Sequence, residues 1–309
     1  MPLHRLTTMI VGVTDLDATR DWYREFGLDE PQPGRMATRD GGIQLELEQA
    51  PYRGLQSFGL GVDDTDDLDR ITAGVTAFDT GVTVTRHADR VEFDDPIDHV
   101  PYVVSIARRY PADTATPAAR RNRPAEVNRT DRPAEGVLRD ERVRPSNLTH
   151  LVRGTVDHEA SIRFHQQALG FELSDPLPGL GGFLRCSDWH HNLMLQQGPA
   201  PFLHHIAFEV DDVDEVGRGA THMLERDPAC HLWGLGRHAI GSNFFWYLRD
   251  PSGNYAEYAA DIDRVTEQAA YRPKDWSGHE GLYAWGDPPP TEFVIPPDIE
   301  DVVAAMLAH

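Results

Sequence analysis

Short apolar stretches of strand length alternate along this chain with polar-capped stretches of helical character. Leu6 to Val13 reads as a strand, and Asp15 to Phe26 as a helix that stops at Gly27, a residue suited to a left-handed C-cap. Strand patterns return at Gly42 to Glu48 and Phe58 to Val62. The acidic run Asp63 to Asp67 then offers N-cap residues for a second helix reaching about Ala77. Further strands are expected at Val82 to Thr85, Val91 to Phe93 and Tyr102 to Ile106. From Tyr110 to Pro145 the composition turns to Pro, Ala, Arg and Asp, which predicts a linker or surface excursion (111–145) whose charges face water.

After that stretch the pattern starts again. Leu148 to Gly154, with Asp157 and Ala160, parallels Leu6 to Gly12, with Asp15 and Ala18. Leu203 to Asp212 parallels Leu55 to Asp64, and Asp250-Pro251 parallels Asp95-Pro96. The chain therefore reads as two copies of one architecture, 1–110 and 146–261, followed by a tail, 262–309, that carries Tyr283, Trp285, a run of three prolines and a helix expected at Ile299 to Ala308. The tail is expected to pack on the second copy.

Length and composition agree with two soluble domains, each with its own core: 309 residues, 40% hydrophobic and 26% charged. A formal charge of −21 argues against a nucleic-acid partner, since phosphate binding needs clustered Lys and Arg. No apolar run has the length of a membrane span and the N-terminus lacks a signal-peptide pattern, so a cytoplasmic protein is expected. Cys186 and Cys230 are too few for a disulfide framework and read as reduced, partly buried thiols.

The chemistry concentrates between Gly236 and Glu257, an aromatic strand, an Asp-Pro-Ser-Gly turn and a second strand carrying a carboxylate. A carboxylate on a half-buried strand needs a partner, and a divalent metal is one. Gly236, His238, Tyr247, Asp250, Pro251, Gly253 and Glu257 follow the spacing of a signature to which this string is similar, that of the type I extradiol ring-cleavage dioxygenases of the vicinal oxygen chelate superfamily. One position departs, Trp246, where a smaller apolar residue is usual. The resemblance implies an α+β fold of four βαβββ modules arranged as two similar domains. It also implies meta cleavage of a catechol-type aromatic diol by O2, as in the catechol 2,3-dioxygenases and biphenyl-2,3-diol 1,2-dioxygenases, and a homo-oligomer.

The repeat supplies an internal comparison. His150, His205 and Glu257 stand in the second copy where the first has Thr8, Ser57 and, by a looser alignment, Tyr102. Two imidazoles and a carboxylate form the facial triad of non-haem Fe(II) sites, with Mn(II) sharing the ligand set. His204 and His205 point to opposite faces of a strand, and His204 shares its face with Ile206, Phe208 and Val210, so His205 is the expected ligand. The resemblance gives His191, rather than His190, an acid–base role, and assigns Tyr247 and His238 to substrate hydrogen bonds. Phe183, Trp189, Phe202, Trp233, Phe244 and Phe245 are candidates for an apolar wall. His158, His165, His222, His231 and His279 are read as surface or structural. Two alternatives stand beside the dioxygenase: an oxygen-independent, metal-dependent glyoxalase-like isomerase or transferase, and a protein that sequesters small molecules without metal.

Overall fold

The repeat is realised as two sheets with one strand order in the computed structural model, which describes residues 2–110, 120–274, 276 and 281–308. The first contains β1 (Leu3–Leu6), β2 (Met9–Val13), β3 (Asp29–Gln32), β4 (Arg35–Thr38), β5 (Gly42–Gln49), β6 (Gly54–Val62), β7 (Thr85–Arg86), β8 (Arg90–Asp94) and β9 (Pro101–Ile106). The second contains β10 (Asn147–Thr155), β11 (Glu172–Leu177), β12 (Gly181–Arg185), β13 (Leu193–Gln197), β14 (Leu203–Glu209), β15 (His231–Arg237), β16 (Phe244–Arg249) and β17 (Tyr255–Ala260). The orders are β3-β4-β5-β2-β6-β9-β8-β7 and β11-β12-β13-β10-β14-β17-β16-β15, which correspond strand for strand. This is the α+β arrangement of two similar domains.

Each half carries two helices: α1 (Leu16–Phe26) and α2 (Thr65–Phe78), then α3 (His158–Phe164) and α4 (Val213–Arg226). All four begin on an aspartate, Asp15, Asp64, Asp157 or Asp212, whose carboxylate accepts a backbone N–H of the first turn. Gly27 ends α1 at φ 114°, where a Cβ would lie 2.2 Å from the Val143 carbonyl oxygen. After α3 a single π-type turn, His165–Leu169, inserts one residue before Gly170 closes the helix.

The expected strand from Leu6 to Val13 is broken into β1 and β2, and Val82 to Thr85 contributes only the two-residue β7. The edge strands β3 and β4 were not foreseen, since Asp29-Glu30-Pro31-Gln32 has no apolar alternation. One buried apolar cluster runs through both halves. Phe26 of α1 stacks on Tyr258 of β17 at 3.9 Å, while Phe164 of α3 packs edge-on against Phe93 and Tyr102 in the first sheet. The turns after β8 and β16 complete the exchange. Ser252 Oγ accepts the backbone N–H groups of Thr14 and Asp15, and Asp98 accepts that of Val156 together with the Ser161 hydroxyl.

The first part of the excursion, 111–119, lies outside the described residues. Beyond it the arginines do not simply face water as expected: Arg139 forks onto Asp212 of the second half, and Arg142 and Arg144 pair with Asp29 of the first. The C-terminal tail carries α5 (Thr291–Val294) and α6 (Ile299–Ala308), the latter with the expected bounds. It lies over the second half, and Asp298 also binds Arg53 of the first half through two contacts of 2.7 Å. Among the described residues no helix is long and apolar enough to cross a membrane.

Candidate metal centre

The second sheet brings three donors to one point from its three central strands. His150 on β10, His205 on β14 and Glu257 on β17 are 2%, 5% and 0% exposed, and their ligand atoms lie within 4.8 Å of one another. Register explains the convergence: β10 and β14 pair Val152 with His205, and β14 and β17 pair Ala207 with Glu257. The shortest separations are 3.1 Å from His150 Nε2 to Glu257 Oε2, 3.5 Å from His205 Nε2 to the same oxygen, and 3.4 Å between the two Nε2 atoms. Donors on adjacent corners around an ion about 2.1 Å away would stand roughly 3.0 Å apart. The observed triangle is only slightly wider.

Glu257 Oε2 is buried and receives no hydrogen bond among the described residues. Its other oxygen, Oε1, accepts from Asn243 Nδ2 at 3.0 Å. Burial, reinforced by the neighbouring imidazoles His204 and His150, pushes His205 well below the ordinary histidine range, so its ring is neutral at pH 7. A buried carboxylate oxygen without a proton donor, facing imidazole lone pairs, is a donor set that calls for a cation. These residues fit a small divalent ion.

Around the triangle the side chains singled out in the sequence divide into those the fold gathers and those it does not. The His191 ring is 4.4 Å from that of His150, and its Nδ1 lies 3.0 Å from Nδ1 of His190. His190 Nε2 in turn faces Asp175 Oδ2 at 3.0 Å and the Tyr271 hydroxyl at 2.9 Å. Burial alone would raise the Asp175 carboxyl, but hydrogen bonds from His190, the Lys274 backbone N–H and the Trp276 indole hold it below the usual range. Burial, then the positive charge that His150 and other imidazoles would carry, pushes His191 well below its ordinary value. Gly241, at φ 79°, passes so near that a Cβ there would lie 3.1 Å from the His191 ring.

Tyr247 is paired with Glu257 across β16 and β17, and its hydroxyl lies 2.8 Å from His238 Nε2. His238 Nδ1 is bonded to the Leu282 carbonyl oxygen, which can only accept, so Nδ1 carries the proton and Nε2 takes the tyrosine's. Burial, then the nearby Glu257 charge, holds the Tyr247 phenol well above its ordinary value, so it is a neutral donor. Of the six proposed wall residues, Phe183 lies 5.0 Å from His191, Phe245 stacks on His238 at 4.0 Å, and Trp233 lies parallel to Tyr247 at 5.7 Å. The other three are elsewhere: Trp189 stacks on Tyr110, Phe202 fills the space beside Gly154 and Gly198, and Phe244 packs on Trp285.

Trp246 points to the opposite side of β16 from Tyr247, its indole donating to His231, so the one departure from the signature leaves the site untouched. His158, His222 and His231 bond to Gln197, Glu25 and Trp246, away from the triangle, and His165 is buried against Tyr102. His279 lies outside the described residues. The first-half counterpart of Glu257 is corrected by register: β6 and β9 pair Gly59 with Val103, so Val103 replaces Tyr102, which faces the other way. Sequence reasoning missed Asn243 and Phe293, the latter 4.6 Å from Tyr247 ring to ring. Asn243 stood unremarked inside the signature string; nothing local marked Phe293.

Comparison with known proteins agrees with this geometry. Residues 147–258 match the family described as Glyoxalase/Bleomycin resistance protein/Dioxygenase superfamily, and they form a glyoxalase-like, vicinal oxygen chelate domain. Metapyrocatechase 2 of Cupriavidus necator is 39% identical over 157 residues, covering 50% of this chain and 48% of that protein. An iron-dependent extradiol dioxygenase of Rhodococcus jostii (strain RHA1) is 30% identical over 137 residues, covering 40% and 45%. The chain thus spans about half the length of the curated relatives it matches. Among solved structures, the Mn(II)-bound glyoxalase from Novosphingobium aromaticivorans superposes with a TM-score of 0.74 at 25% identity, covering 94% of this chain and 93% of that one.

Proposed function

We propose that the protein is an extradiol dioxygenase that cleaves a catechol-type diol beside its paired hydroxyls, adding both atoms of O2 to give a muconic semialdehyde-type product. The observation that carries this reading is the buried triangle of His150, His205 and Glu257, a ligand set that would hold a divalent ion and leave positions for substrate and O2. Fe(II) is the metal of choice, Mn(II) the alternative. A bound ferrous ion would supply the electronic contact between a chelated diol and O2 and lower the diol's hydroxyl pKa values.

The remaining steps belong to the chain. His191, neutral and with Nδ1 tied to His190, would take a hydroxyl proton on Nε2 and return it as the ring opens. Tyr247 would turn its hydroxyl proton from His238 Nε2 to an anionic substrate oxygen, which would leave Nε2 of His238, anchored on Leu282, as an acceptor. Phe183, Phe245 and Trp233 flank the ring and keep water from it. The reaction balances without an added reductant: one C–C bond breaks and both oxygen atoms remain in the product.

Anaerobic loading with Fe(II), then addition of air-saturated catechol, 3-methylcatechol or 2,3-dihydroxybiphenyl, tests the proposal. Stoichiometric O2 uptake with a yellow product, lost in Glu257→Ala, is the expected result; turnover of no diol with any metal would overturn it. The glyoxalase name of the Novosphingobium structure favours a second reading, an oxygen-independent metal-assisted isomerase or transferase. Turnover persisting without O2 would select it. The buried free thiols Cys186 and Cys230 suit a cytoplasmic location, and sedimentation would test the expected homo-oligomer.

A further inference from the structure

Each of the three donors is held from behind by a second polar group, and the direction of each hydrogen bond can be worked out. Thr149 Oγ1 lies 3.0 Å from His150 Nδ1 and donates its only proton to the Ala207 carbonyl at 3.3 Å. It is therefore an acceptor toward His150, whose proton sits on Nδ1 and whose Nε2 is bare. Asn243 caps Glu257 Oε1 and frees Oε2 in the same sense.

His205 is held differently. Behind it stands another imidazole: a register shift between Leu203 and His205 breaks the expected alternation, so His204 does not face away and its Nδ1 lies 2.8 Å from His205 Nδ1. Two such nitrogens bond only if one carries a proton and the other does not. His204 Nε2 lies 2.7 Å from the Phe293 carbonyl oxygen, 89 residues along the chain in α5, and a carbonyl only accepts. His204 thus spends its proton on Nε2, Nδ1 is bare, and the His205 proton is drawn to Nδ1. His205 Nε2 then presents a lone pair to the triangle. The opposite arrangement would aim an N–H at the ion.

We propose that His204 is a positioning residue through which the C-terminal tail sets the affinity of the metal centre, the Phe293 carbonyl fixing the His204 tautomer and His204 that of His205. The inference rests on the metal reading above. Ligating histidines commonly donate their second N–H to a carboxylate or carbonyl, which accept in any state. An imidazole accepts in only one of its two tautomers, so the requirement passes on to Phe293. The tail acts on its neighbours in the same way, with Leu282 anchoring His238 and Tyr271 meeting His190 behind His191.

The test is Mn(II) binding to the metal-free 309-residue chain, with free Mn(II) followed by electron paramagnetic resonance and unfolding followed by circular dichroism. His204→Phe keeps a ring and removes the acceptor, and should weaken Mn(II) binding about 10–100-fold. His204→Asn puts Oδ1 near the lost Nδ1 and should recover most of that loss while melting where His204→Phe melts. Unchanged affinity in His204→Phe, or His204→Asn as weak as His204→Phe, would sink the inference and leave the metal reading intact. A wild type that binds no Mn(II) would remove both. Should His204→Phe not fold, long-range proton–nitrogen NMR of the histidine-labelled wild type decides: protons on His205 Nδ1 and His204 Nε2 support the relay, and the reverse assignment overturns it.

Discussion

The two halves share every strand pairing around the site, yet present opposite chemistry from equivalent positions. Where β10, β14 and β17 carry His150, His205 and Glu257, the first half offers Thr8 just before β2, Ser57 on β6 and Val103 on β9; Thr8 donates to the Ile43 carbonyl. Register sets Tyr247 against Glu92, and beside it Phe245 against Arg90, so a half-buried Arg90–Glu92 ion pair stands where the second half has two buried aromatic rings. The tail accounts for part of this difference. Its Leu282 and Phe293 carbonyls bond His238 and His204 of the second half, where a buried carboxylate and two buried imidazoles would gain from sharing a cation. Identical topology thus gathers three possible metal ligands in one copy and none at the matching positions of the other, and the difference comes from the residues within the repeat together with a tail outside it.

The comparison breaks most sharply at the donors. Glu257→Ala or His205→Ala should abolish metal binding and slow diol-dependent O2 uptake on the order of 10³-fold or more, a loss of several kcal/mol. Ser57→Ala and Val103→Ala, at the equivalent positions, should leave both unchanged. A Mn(II) titration and an oxygen electrode read all four variants. Activity surviving in Glu257→Ala would refute the assignment.

A second contrast concerns how each half holds the other. Asp98 reaches into the second half to meet Arg153, fully buried and bonded at 2.5 Å to Asp98 and 3.0 Å to Asp95, whereas Ser252 makes the equivalent contact with hydroxyl and amide partners. Removing Arg153 leaves two buried carboxylates unpaired, so Arg153→Ala should cost about 3–5 kcal/mol. Ser252→Ala should cost about 1 kcal/mol. Urea unfolding measures both, and equal costs would show that the ionic link adds nothing. Smaller still, Asn243→Ala should weaken Mn(II) binding about tenfold, because Glu257 Oε1 loses its donor.

Local patterns made much of this legible. The capping aspartates before α2, the apolar strands and the Asp-Pro turn are statements about neighbours in sequence; the structure returns α1 and α2 within a residue or so, whereas β6 starts four residues early and the first strand is broken in two. The three donors could be read because the chain contains its own control, a second copy lacking them. What stayed hidden depends on distant packing. Nothing near Phe293 says that its carbonyl will meet His204, 89 residues away, and nothing near Leu282 points to His238, 44 residues away. Of the six aromatic wall candidates, strand alternation could not separate the three that border the site from the three that fill the interior.

His165 offers the finest test of the comparison, since the first half has Tyr23 at the matching place before the inserted turn. The ring is fully buried, its Nδ1 donating to the Ser161 carbonyl and its Nε2 accepting from the Tyr102 hydroxyl, so both nitrogens are satisfied with the ring neutral. Burial, helped by the Arg153 charge, depresses it from 6.5 to about 3. Its folded value is below its unfolded one, so the unfolded chain takes up the proton first as pH falls. The stabilisation is complete above the unfolded value and erodes as pH drops from there toward the folded one. Between about pH 8 and pH 5 the wild type should lose about 2 kcal/mol more than His165→Gln. Asp95 and Asp98, which pair with Arg153 in both proteins, largely cancel in that difference. Urea unfolding at a series of pH values measures it, and parallel stability profiles for the two proteins would mean that His165 is charged, or free to become so, inside the fold.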